Sequence, residues 1–245
     1  MDTSIIGIDC ATDPKRIGLA RGRMTADGLV LERLGKVARG EPVAERVVDW
    51  IAGQERVLLA MDAPLGWPAA LGDALAFHRA GGFLPTLPNQ LFRRETDRFT
   101  HQQIGKLPLD VGADRIARTA HAALNLLHQV GERRRCVVPL AWSPEFDEPV
   151  AVIEVYPAAV LKTSGMRFQG YKGSARSAQR QEIVGRLQKE MIFAADSEIL
   201  LSDDDVLDGA VCVLAGYHFL LGLCVPPTDT ELARREGWIW FRSGP

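Results

Sequence analysis

Apolar residues come in short continuous blocks along the first third of the chain and at helical spacing further on. The block "SIIGIDCA" predicts a strand with an acid near its end. "KRIGLARGRM" and "GLVLERLGKV" follow it, separated by the turn signal "TADG", so the chain should open with a meander of three strands. "EPVAERVVDWIAG" carries apolar residues at helical spacing, begins on a helix-compatible proline and closes at Gly53. "RVLLAMDAPLGWP" is apolar at successive positions and stops at an aspartate and a proline-rich turn. A strand buried on both faces reads this way when it is central and parallel.

Residues 80–110 break the pattern with little clean periodicity. A segment of that length is more often functional than idle. Helical spacing returns in "GADRIARTAHAALNLLHQV", and "CVVPLA" and "PVAVIEVYPAAVL" are strand candidates, the second carrying Glu154. "SARSAQRQEIVGRLQKEM" is an amphipathic helix. The last long apolar stretch, "VLDGAVCVLAGYHFLLGLCV", contains Asp208 and His218 and reads as a buried core helix, not a membrane span. No internal repeat and no linker long enough to cut the chain is found. The expectation is one α/β domain over residues 1–245, with an insertion-like segment at about 80–110.

Composition narrows the function classes. At 47% hydrophobic and 24% charged the chain is neither disordered nor fibrous, and its net charge of −2 is wrong for a protein that coats duplex DNA. Any nucleic-acid contact must come from a local patch. The start "MDTSIIGIDCATD" lacks a basic leader, and Cys10, Cys136, Cys212 and Cys224 show no paired spacing, so a cytoplasmic location with free thiols is expected.

The acids are more informative. Asp9, Asp62 and Glu154 each follow an apolar strand, and in α/β sheets the ligand crevice lies beyond the carboxyl ends of the strands. The stretch "LSDDDVLDGA" adds Asp203, Asp204, Asp205 and Asp208 at the start of the last helix. Asp205 and Asp208 are three apart and Asp204 and Asp208 four apart, so each pair shares a helix face. Converging carboxylates with no histidine partner suit hard cations such as Mg²⁺ or Mn²⁺, and two such ions can drive phosphodiester hydrolysis. The bland alternatives stay open: Asp9 and Asp62 as turn formers, Asp203 or Asp204 as the helix N-cap.

The ordered set "GIDCA", "MDAPLGWP", "RRETDR", "LPLDVGADRIARTA", "IEVYPAAVLK", "GYKG", "DDDVLDGAVCVLAGYH" and "EGWI" resembles the prokaryotic domain-of-unknown-function family 429, described as predicted nucleases with a ribonuclease-H-like fold. The resemblance implies a mixed five-stranded sheet, its first three strands antiparallel and the rest parallel, with helices on both faces. It also implies that Asp9, Asp62, Asp205 and Asp208 hold the metal, with Glu154 as a further catalytic acid of the narrower family. Gly209 stands where alanine is commoner in the family, a departure expected to touch only local helix stability.

Among basic residues, Arg93, Arg94, Arg115 and Lys172 are the candidates for holding phosphate, since arginine forks match phosphate oxygens. Salt bridges from Arg93 or Arg94 to Glu95 or Asp97 are the plain alternative. The leading expectation is a divalent-metal-dependent nuclease or phosphodiesterase acting on a nucleic acid or nucleotide. A non-catalytic nucleotide- or partner-binding module on the same fold is the second. An ATP-dependent phosphotransferase of the actin and sugar-kinase type is the third, disfavoured because "DCATDPKR" lacks glycines for a phosphate loop.

Overall fold

The computed structural model describes residues 2–112 and 114–244. Six strands form one sheet: β1 (Thr3–Asp9), β2 (Gly18–Thr25), β3 (Gly28–Gly35), β4 (Val57–Asp62), β5 (Val150–Glu154) and β6 (Ile192–Phe193). Their order is β5-β4-β1-β2-β3-β6. The first three strands are antiparallel neighbours, β4 runs parallel to β1, and β5 runs parallel to β4. The sheet is therefore α/β and mixed as expected, but with six strands and not five. The sixth is a two-residue pairing of Ile192 and Phe193 with Val30 and Leu31, too short to leave a periodic signal. "CVVPLA" forms no strand of its own. Pro139 interrupts the run, and only Leu140 bridges to Val152.

The helices are α1 (Val43–Ile51), α2 (Ala69–Leu75), α3 (Pro88–Leu91), α4 (Glu95–Ile104), α5 (Asp114–Arg134), α6 (Pro157–Thr163), α7 (Ser177–Glu190), α8 (Ile199–Ser202), α9 (Asp204–Leu220) and α10 (Thr230–Glu236). The period-2 alternation of the strands sorts them onto two faces. Ile6 and Ile8 of β1 and Val57, Leu59 and Met61 of β4 pack with α1 and α5. Ile5, Leu58 and Ala60 point the other way, into the core that α9 fills. None of the helices among the described residues is long and apolar enough to cross a membrane.

Helix α9 lies against the sheet at backbone distance, and small residues make that possible. A Cβ on Gly7 would fall 1.9 Å from the Gly209 carbonyl oxygen, and one on Gly18 1.9 Å from that of Asp205. Gly209 is itself part of this contact: a Cβ there would sit 3.2 Å from the Gly18 oxygen. Gly209 thus lies in the helix–sheet contact, where an alanine Cβ would sit tightly against Gly18.

Candidate metal centre

Strand parity brings the first two acids together. Asp9 and Asp62 are register partners across the parallel β1–β4 pair, both on the face that α9 covers. Asp208, one turn into α9 and wholly buried, comes down between them because the glycines let the helix approach. One oxygen from each of Asp9, Asp62 and Asp208 lies within 4.8 Å of the others. Asp9 is nearly buried and Asp62 partly exposed, so the cluster opens at Asp62.

The electrostatics record the crowding. Burial first, then the charges of Asp208 and Asp62, push the Asp9 carboxyl well above its ordinary pKa. Burial also raises Asp62, to about 7, with Asp208 and Glu154 adding to the rise and Lys172 opposing it. Asp208 is raised by burial against the pull of Lys172 and Tyr171. The Tyr171 hydroxyl donates to Asp208 Oδ1 at 2.7 Å. Asp208 Oδ2 faces the Lys172 ammonium at 2.5 Å, a close charge-assisted contact. Three carboxylates that share one ammonium keep a surplus of negative charge, which a bound cation would offset. Oxygen ligands of Mg²⁺ sit ~2.0–2.1 Å from the ion, so two of them are at most about 4.2 Å apart. Neighbouring ligands of one ion lie only about 3 Å apart, so the three aspartates would draw in around it; an all-oxygen donor set fits Mg²⁺ or Mn²⁺.

The other aspartates of the crowded stretch have separate jobs. Asp203 is the N-cap of α9, accepting from the amides of Asp205 and Val206. Asp204 Oδ2 accepts from the Gly173 amide. Asp205, expected among the metal ligands, is instead taken by Lys36 at 2.7 Å and Arg16 at 3.4 Å. It sits one turn above Asp208 on α9, and Gly18 packs against its backbone, so its side chain meets the cations of the β1–β2 loop and β3's end.

Glu154 is also elsewhere. It lies 2% exposed at the end of β5, where Arg94 grips both its oxygens at 2.7 and 2.8 Å and the Leu65 amide adds a third bond. Arg94, equally buried, binds Asp97 through Nε and Nη2 and the Glu236 carbonyl through Nη1. Both Glu154 oxygens and all three nitrogens of the Arg94 fork are engaged within this set. Arg93 pairs with Asp110 at 3.0 Å. Arg115 is exposed in the first turn of α5, outside the three-carboxylate cluster. Of the four basic candidates, only Lys172 touches the triad.

Three contributors were missed in the sequence. Lys106 and Tyr156 line, with Asp62, Phe168, Tyr171 and Lys172, a cleft of about 250 Å³ at the mouth of the triad. Burial and neighbouring Lys172 lower the Lys106 pKa. Arg180, 1% exposed, clamps the turn that carries Lys172 by donating to the carbonyls of Tyr171 and Gly173. The turn itself was visible as "GYKG"; its anchor, nine residues from Tyr171 in an amphipathic helix, looks like any surface arginine.

The family model described as protein of unknown function (DUF429) matches residues 7–232. The chain belongs to that family. No curated protein matches it. Among solved structures the DUF429 chain is similar to T. thermophilus RuvC in complex with a Holliday junction substrate, at 12% identity and a TM-score of 0.39, with 92% of this chain and 99% of that one covered. The DUF429 description names no activity, so the chemistry of the site has to speak for it.

Proposed function

We propose that the protein is a divalent-metal-dependent phosphodiesterase, with single-stranded nucleic acid or a nucleotide as substrate. The observation that carries the reading is the convergence of Asp9, Asp62 and Asp208, three carboxylates against the one ammonium of Lys172. An ion bound there would polarise a phosphoryl oxygen and lower the pKa of a bound water. Asp9, Asp62 and Asp208 hold it; Tyr171 fixes the Asp208 rotamer. Lys106 and Lys172 give the cleft the positive charge that a phosphate needs, while Tyr156 and Phe168 offer faces on which a base can stack. The cleft, at about 250 Å³, is small, which favours an unpaired nucleotide over a base pair as the group that enters it. With Asp205 and Glu154 engaged, the triad supplies a single ion site from protein groups, and a second ion would need oxygens from the substrate.

The test is Mn²⁺-dependent cleavage of single-stranded DNA and RNA, hybrid and branched substrates by wild type and Asp62→Asn. Cleavage by the wild type alone supports the reading. Equal activity in both, or none on any substrate with metal bound, sinks it and favours a binding module.

A further inference from the structure

Lys172 sits where the charge of the triad is least compensated. Its ammonium meets Asp208 Oδ2, and although partial desolvation works against it, the charges of Asp208, Asp62 and Asp9 raise its pKa above the ordinary lysine value. Three carboxylates face this one ammonium at the cluster, a deficit that a divalent ion would cover better. The two cations compete for the same oxygen.

The turn is built so that the side chain can yield while the backbone stays. Arg180 donates to the carbonyls on both sides of Lys172, and Asp204 accepts from the Gly173 amide. Gly170 and Gly173, at φ of 70° and 98°, shape the turn in a region that other residues avoid. The Lys172 side chain is nonetheless 58% exposed, and an ammonium on a four-carbon stem is a point charge with no fixed fork to break. Arg94 in its cluster, 1% exposed and bidentate, has none of this freedom.

We propose that Lys172 is the resident cation of the metal centre: it neutralises Asp208 in the metal-free protein, is displaced when the divalent ion arrives, and is thereby released into the cleft to meet the substrate phosphate. This rests on the triad being a metal site. It also accounts for how the three carboxylates stay together in the metal-free protein.

The experiment is calorimetric titration of Mn²⁺ into wild type, Lys172→Met and Lys106→Met, paired with the rate at which an amine-reactive reagent modifies Lys172 in the wild type with and without Mn²⁺. Lys106 lines the same cleft and carries the same charge, but forms no ion pair with the triad among the described residues. Displacement predicts that Lys172→Met binds Mn²⁺ about tenfold or more tighter than wild type, and Lys106→Met by no more than about threefold. It also predicts that Mn²⁺ accelerates modification of Lys172 severalfold, a readout that needs no variant to fold. Unchanged or weaker binding by a folded Lys172→Met, or a modification rate that Mn²⁺ leaves alone or slows, overturns displacement while the metal site stands. Absence of Mn²⁺ binding by the wild type removes both.

Discussion

Asp62 ends β4 and Glu154 ends the neighbouring parallel strand β5, and each belongs to a cluster of buried acids. Around Glu154 the acids are matched: Arg94 satisfies Glu154 and Asp97 with paired hydrogen bonds, and all three side chains are withdrawn from water. Around Asp62 they are in excess: three carboxylates meet one exposed lysine and one tyrosine hydroxyl. The first arrangement joins β5, the start of α4 and the end of α10 into one unit. The second leaves three carboxylates against a single ammonium. Strand-end position is the same in both; the match of cations to acids is what separates a clasp from a site.

The largest expected effect breaks the clasp. Arg94→Met strands two buried carboxylates and should cost ~3–5 kcal/mol in urea unfolding, unaffected by Mn²⁺. A variant within ~1 kcal/mol of wild type would mean that the clasp contributes little. Next comes the helix–sheet approach. Gly7→Ala places a Cβ on the Gly209 carbonyl, so it should cost ~1–3 kcal/mol or more by forcing α9 off β1, and Mn²⁺ affinity should fall with it. Retained affinity would show that the triad does not depend on that spacing.

Asp62→Asn should do the reverse of Arg94→Met, stabilising the metal-free protein by ~0.5–2 kcal/mol at pH 8 while weakening metal binding. The sign follows from the carboxyl's pKa of about 7 against an ordinary 3.8. Between about pH 4 and 7 the folded protein keeps a proton that the unfolded chain has lost, so metal-free stability falls as pH rises through that window. The gain from Asp62→Asn should therefore be near zero at pH 4 and full above pH 7, measured by thermal melts in chelator. A gain independent of pH would contradict the raised carboxyl. The smallest effect is that of Asp205→Asn, which loses pairs with Lys36 and exposed Arg16 at a cost of ~0–1 kcal/mol and should leave Mn²⁺ affinity intact.

Much of this was legible from residue order alone. Continuous apolar runs ending in acids placed Asp9 and Asp62 at strand ends, and the apolar run through Asp208 placed that residue on a buried helix. What joined them was not in the periodicity. Helix α4 buries Thr96, Asp97 and Thr100 beside Ile104, so a helix with a polar buried face read as irregular. Glu236 in "EGWI" accepts from the first amides of α2 and α4, a long-range cap with no local signature. The partners of Glu154 and Asp205 were not legible either, because a sequence shows an acid but not the arginine or lysine that pairs with it. Arg94 lies sixty residues from Glu154, and Lys36 is separated from Asp205 by most of the chain.

The most direct test of the difference between the two acid clusters is calorimetric titration of Mn²⁺ into wild type, Asp205→Asn and the Asp9→Asn, Asp208→Asn double variant at pH 8. The account predicts binding by wild type and Asp205→Asn and none by the double variant. Failure of the wild type to bind, or loss of binding in Asp205→Asn as complete as in the double variant, would contradict it.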